Sequence, residues 1–112
     1  MTKNLTTPVR QIVALLVTKD YDQIVRLTGG QRLDAAAIES AIRDYGRTIV
    51  LPPDTAIHNL DVVCVQNAHP PRWSVRMPLW TAEEGRSDLS VELTIIEDGG
   101  GYVVELDDIH VL

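Results

Sequence analysis

The chain's most versatile ligands and proton carriers are three histidines, His58, His69 and His110, and their spacing argues against both uses. They fall at turns and strand ends, with no pair at helical or hairpin ligand spacing. The lone cysteine, Cys64, joins none of them in a zinc-like pattern. Asp107-Asp108-Ile109-His110 is rich in ligand-type residues, but alternation along a strand sends Asp107 and Asp108 to opposite faces. The segment therefore reads as structural or solvated, and no metal or cofactor is expected. Ser74, Ser87 and Ser90 lack the glycine-flanked turn that exposes a catalytic serine. Neither Gly29-Gly30 nor Gly99-Gly100-Gly101 resembles a phosphate loop; the latter joins two strand-like runs and reads as a hairpin. No catalytic residue is assigned, and the expectation is a protein that is not an enzyme.

Two weaker constellations remain. Tyr21, Tyr45 and Trp73, with Trp80, are the large side chains that would line a pocket at one end of a helix-on-sheet core. Asp61 or Asp88 would supply a general base there. The plainer reading is that the aromatics fill core volume and the aspartates begin strands. The second constellation is a surface. Alternation places Trp80 on the polar side of its strand beside Glu83 and Glu84, where it reads as an interface anchor unless Ile96 or Val111-Leu112 covers it. Glu92, Glu105 and Asp107 share that polar face, with Arg76 as their cross-strand counter-ion.

Charge distribution favours the surface. The formal net charge is -6. Residues 1–80 carry nine basic and seven acidic side chains, whereas residues 81–112 carry nine acidic ones against Arg86 alone. Dense negative charge on a sheet steers a cationic partner and argues against nucleic acid, which demands a basic footprint. The apolar run Ile12–Val17 is too short to span a bilayer, and the start MTKNLTTPVRQ is not a signal peptide, so no membrane role is expected. One cysteine excludes an internal disulfide and fits a reducing, cytoplasmic setting; its place between Val63 and Val65 reads as a small buried hydrophobe.

The elements that must position these residues change period midway through 112 residues, a length suited to one domain. Thr7-Pro8 reads as a helix start, with Val9, Ile12, Val13, Leu16 and Val17 on one face. Lys19-Asp20 breaks this run, and Asp20 caps a second helix ended by Gly29-Gly30. Asp34 caps a third carrying Ile38, Ala41, Ile42 and Tyr45, with Leu33 and Ile38 as a hydrophobic staple and Gly46 as its stop. From there the period is two. A short strand at 48–51 is halted by Pro52-Pro53, and longer strands are predicted at about 60–66, 72–81, 87–97 and 101–110. The fold class is α+β, with N-terminal helices packed on one face of a four- to five-stranded antiparallel meander.

This order of helices and meander resembles the cystatin-like, or nuclear-transport-factor-2-like, fold, and Lys19-Asp20-Tyr21-Asp22 looks like that superfamily's helix-to-helix break. Leu79–Leu89 and the ending Leu106–Leu112 resemble a small bacterial domain family of unknown function. Small acidic proteins of this build also resemble immunity proteins, which neutralise antibacterial toxins. The expected function is non-enzymatic binding of a protein partner such as a basic toxin. The alternative is a small-molecule pocket or cryptic enzyme of the cystatin-like superfamily. A homodimer through the sheet face is a third reading, provided Arg72 and Arg76 interleave with the acids.

Overall fold

The computed structural model describes residues 5–30, 32–58 and 60–111. Four helices, α1 (Thr6–Val17), α2 (Tyr21–Thr28), α3 (Ala35–Tyr45) and α4 (Asp54–His58), accompany five strands. These are β1 (Ile49–Val50), β2 (Asp61–Cys64), β3 (Arg72–Thr81), β4 (Gly85–Asp98) and β5 (Gly101–Val111). The fold is α+β, and the sheet is open and antiparallel throughout.

Local chemistry sets the helix ends. Asp20 and Asp34 each accept a hydrogen bond from the backbone N–H three residues on, Gln23 and Ala37, and so cap α2 and α3. Gly29 (φ 80°) and Gly46 (φ 75°) close the same helices in the left-handed conformation. At Gly30 a Cβ would meet Val25 Cγ1 at 2.8 Å, so the second glycine lets the chain turn tightly against α2. The first helix departs from expectation. It begins one residue before Thr7, with Leu5 at the cap position and no side-chain cap, and Pro8 is absorbed in the first turn, where its missing N–H has no intrahelical partner to lose. The short α4 is absent from the sequence reading. It follows Pro52-Pro53, Asp54 lies in its first turn, and Arg10 of α1 holds it through an ion pair to Asp54 at 3.0 Å.

The sheet order is β1-β3-β4-β5, with β2 also on β3. β1 faces Trp80 and Thr81, while β2 faces Trp73 to Arg76, so the two lie end to end along one edge of β3. A gap opposite Met77–Leu79 separates them. Pro78 sits there for a geometric reason. The Arg72 carbonyl accepts from Val65 on the β2 side, and the Pro71 carbonyl accepts from Glu97 on the β4 side. Backbone groups alternate along a strand, so Pro78 turns its donor-less nitrogen toward the gap, where the ladder loses nothing. On the other side β4 bulges, and the Ser87 hydroxyl fills the defect by donating to the Leu79 carbonyl (2.7 Å) and accepting from Leu89 N–H.

The space between helices and sheet is filled. Val9, Ile12, Val13, Leu16, Ile24 and Ile38 meet Val75, Met77, Leu79, Leu89, Val91, Leu93 and Ile95, each at most 1% exposed. Every such aliphatic contributes roughly 1.5–3 kcal/mol of burial. Cys64 is a correction: it is exposed, because β2 is uncovered along its whole length. Among the described residues no helix is long and apolar enough to cross a membrane.

Candidate functional site

Helices cover one face of the sheet; the other is open. Leu89, Val91, Leu93 and Ile95 point inward, so Ser90, Glu92 and Thr94 between them point out. Their ladder partners extend this face to Ser74, Arg76 and Pro78 on β3 and to Glu105, Asp108 and His110 on β5.

The face is polarised. At the β3 edge, two adjoining hollows of about 290 and 350 Å³ share Asp61, Arg76, Pro78 and Arg86. Trp80 forms one wall of the first, half-buried opposite Thr55, Ala56 and Leu60. Its cover therefore comes from the α4 side of the molecule rather than from Ile96, which pairs with Arg72 at the far end of the strands. Arg76 does face Glu92 across the ladder, but its guanidinium pairs with Asp61 at 3.2 Å.

The β5 half is acidic, and a β-bulge adds one more carboxylate to it. Glu92 pairs with Asp108 and Leu93 with Leu106, leaving Asp107 as the extra residue. Alternation places Asp107 and Asp108 on opposite faces; the bulge overturns that. Leu106 and Ile109 are both buried, and the two aspartates between them both serve the open side. Asp107 accepts from the Thr94 hydroxyl at 2.6 Å and lies 3.4 Å from Arg32 Nε. Asp108 comes opposite Glu92, and the His110 Nε2 contacts Glu92 Oε2 and lies 4.0 Å from Asp108 Oδ2. Ligand atoms of Glu92, Asp108 and His110 all lie within 4.8 Å of one another. Alternation set Asp108 and His110 aside as structural or solvated, because it split the two aspartates between faces. The available signal was spacing: inward residues at 104 and 106 are followed by one at 109, a step of three that period two cannot produce.

The other acids do different work. Glu83 accepts from both the Thr48 N–H (2.9 Å) and its hydroxyl (3.0 Å), and Glu84 accepts from the Tyr45 phenol (3.1 Å) and the Thr81 hydroxyl (3.2 Å). The backbone bond from Thr48 is the main reason Glu83 is held below the usual carboxylate range.

The predicted pocket residues have separate partners. Tyr45 reaches Glu84, Trp73 meets the Tyr102 ring edge-on at 6.3 Å, and Tyr21 lines a surface groove with Glu39 and Ile42. Burial, aided by Glu39, raises the Tyr21 phenol above its ordinary value, further from any role as a base. Asp61 is tied to Arg76, and Asp88 lines the second outer hollow.

Neither the curated proteins nor the solved structures compared give a match to this chain. A family model described as "Domain of unknown function (DUF7668)" matches residues 13–112, nearly the whole chain, and the protein belongs to that family.

Proposed function

We propose that the protein is a non-enzymatic binding module that docks a basic protein partner on the uncovered face of its sheet. Within that class the reading is an immunity protein that neutralises a bacterial toxin, on a cystatin-like, nuclear-transport-factor-2-like scaffold. The carrying observation is the concentration of Glu92, Glu105, Asp107 and Asp108 on one uncovered half of the sheet, the last of them added by the bulge. Fixed charge of one sign on a rigid surface raises encounter rates with an oppositely charged partner. Trp80 and Pro78, beside the hollows at the other end, supply the apolar contact area that charge alone lacks. The filled helix–sheet interlayer favours docking on the surface over an interior small-molecule pocket. A cytoplasmic setting belongs to the same proposal, because the exposed Cys64 thiol stays reduced there.

The test is kinetic. A partner recovered by affinity capture is titrated against the parent protein and Glu105→Lys at low and high salt. The expected result is an association rate about tenfold slower for the variant at low salt, converging with the parent at high salt. Equal rates at low salt, with the fold intact, would overturn the docking face. Light scattering then separates a foreign partner from pairing of two copies.

A further inference from the structure

We propose that Glu92, Asp108 and His110 form a binding site for a divalent transition-metal ion, with zinc as the reference ion. One imidazole nitrogen and two carboxylates suit zinc and its neighbours in the first transition row. The three side chains come from two adjacent strands, so the sheet holds their spacing without help from a loop.

Three observations converge on this use. Glu92 and Asp108 are direct cross-strand partners, an arrangement of like charges that destabilises a sheet unless something positive lies between them. The neighbouring guanidiniums do not relieve it: Arg76 pairs with Asp61 and Arg32 with Asp107. The nitrogen His110 presents to both carboxylates is the same one, Nε2, as a shared cation requires.

The third observation is a buried hydroxyl. Ser90 is 0% exposed, and its Oγ has no hydrogen-bond partner among the described residues. It lies beneath the open face, directly across the ladder from His110 and two residues from Glu92, and its other side borders the hollow that holds Arg76 and Arg86. Buried hydroxyls without partners are uncommon, and a water held by a neighbouring ion would satisfy this one. The three ligands are half-exposed or exposed, which leaves the remaining coordination positions of the ion to water on the solvent side.

The experiment uses the tag-free, chelator-treated 112-residue chain. Calorimetric titration with Zn²⁺ is expected to show one equivalent bound, and Co²⁺ to give a visible absorption band that Zn²⁺ displaces. His110→Ala and Asp108→Asn should each weaken Zn²⁺ binding by about tenfold or more. The double variant His58→Ala/His69→Ala should bind as the parent does. A structural role for the cluster predicts a different pattern, so the metal-free melt is the second readout. Metal-free Asp108→Asn, relieved of repulsion, should melt no lower than the parent and yet lose the zinc-dependent rise. Absence of saturable binding up to about 1 mM, which would be worth no more than about 4 kcal/mol, overturns the site. So does undiminished binding by His110→Ala. Glu105→Lys touches no proposed ligand, so its effect on partner docking and the effect of His110→Ala on zinc fail or succeed independently.

Discussion

The β3–β4 turn and the β4–β5 ladder both concentrate carboxylates, yet they use them in opposite ways. In the turn, Glu83 and Glu84 lie on the surface and take hydrogen bonds from Thr48, Tyr45 and Thr81, residues on α3, at the α3–β1 junction and at the end of β3. On the ladder, Glu92 and Asp108 face each other, and Glu105 stands opposite Thr94 on the same open side. The turn acids stabilise the fold because fixed donors await them. The ladder acids have fewer fixed donors for their number, namely His110, the Thr94 hydroxyl, Arg32 and the Ile109 N–H, and they crowd one another on the open side. Equal formal charge therefore carries no fixed meaning; the donors around it decide.

The comparison breaks most sharply at Thr81. Its hydroxyl is buried, donates to Glu84 and accepts the Glu84 N–H at 3.0 Å. Thr81→Ala takes the partner from the part-buried Glu84 N–H and one hydrogen bond from its carboxylate, and urea unfolding should show a loss of about 1–3 kcal/mol.

Acid titration is the next test. Glu83 has a folded-state pKa below its unfolded value, so its contribution is fully present above the unfolded carboxylate range. It is lost as the pH falls through the depressed folded value. Glu83→Gln should therefore be less stable than the parent at neutral pH, and the gap should close on acidification when both are followed by thermal melts. A constant gap would show that the charge on Glu83 is not what Thr48 holds.

Salt should separate the two clusters further. Repulsion between exposed ladder acids is screened as the Debye length falls from about 10 Å at 0.1 M to 3 Å at 1 M salt. Metal-free parent protein should gain thermal stability over that range, and Asp108→Asn combined with Glu105→Gln should gain less. Smallest of all is Asp108→Asn alone at moderate salt. An Asn oxygen can still accept from the Ile109 N–H, as Asp108 does at 2.9 Å, so the stability change should lie within about 0.5 kcal/mol and be upward.

Much of the scaffold was legible because it follows local rules. Asp20 and Asp34 cap where capping chemistry puts them, and β3 spans the predicted residues 72–81 because its alternation is unbroken. The α4 helix was illegible: five residues after two prolines carry too little periodicity, and its anchor, Arg10, lies 44 residues away. Cys64 was misread because alternation reports which side of a strand a residue occupies, not whether a helix reaches that far. The acidic face was legible except for one member. Glu92, Glu105 and Asp107 are placed there by period two, but Asp108 arrives through a bulge, and a bulge is a property of two strands together. The work of Glu83 and Glu84 depends on partners 35 and 39 residues away, beyond any local pattern.

The proline in β3 has a consequence for self-association. Sheets grow when an exposed edge offers donors and acceptors to an incoming extended chain. Between β1 and β2 the edge of β3 lies open for about one strand register, flanked by apolar Leu60 and Trp80, where a stray segment would find both grease and backbone. Pro78 removes the donor at that opening. The sheet thus keeps its interruption, with the hollow that interruption creates, without offering a template on which fibres could start.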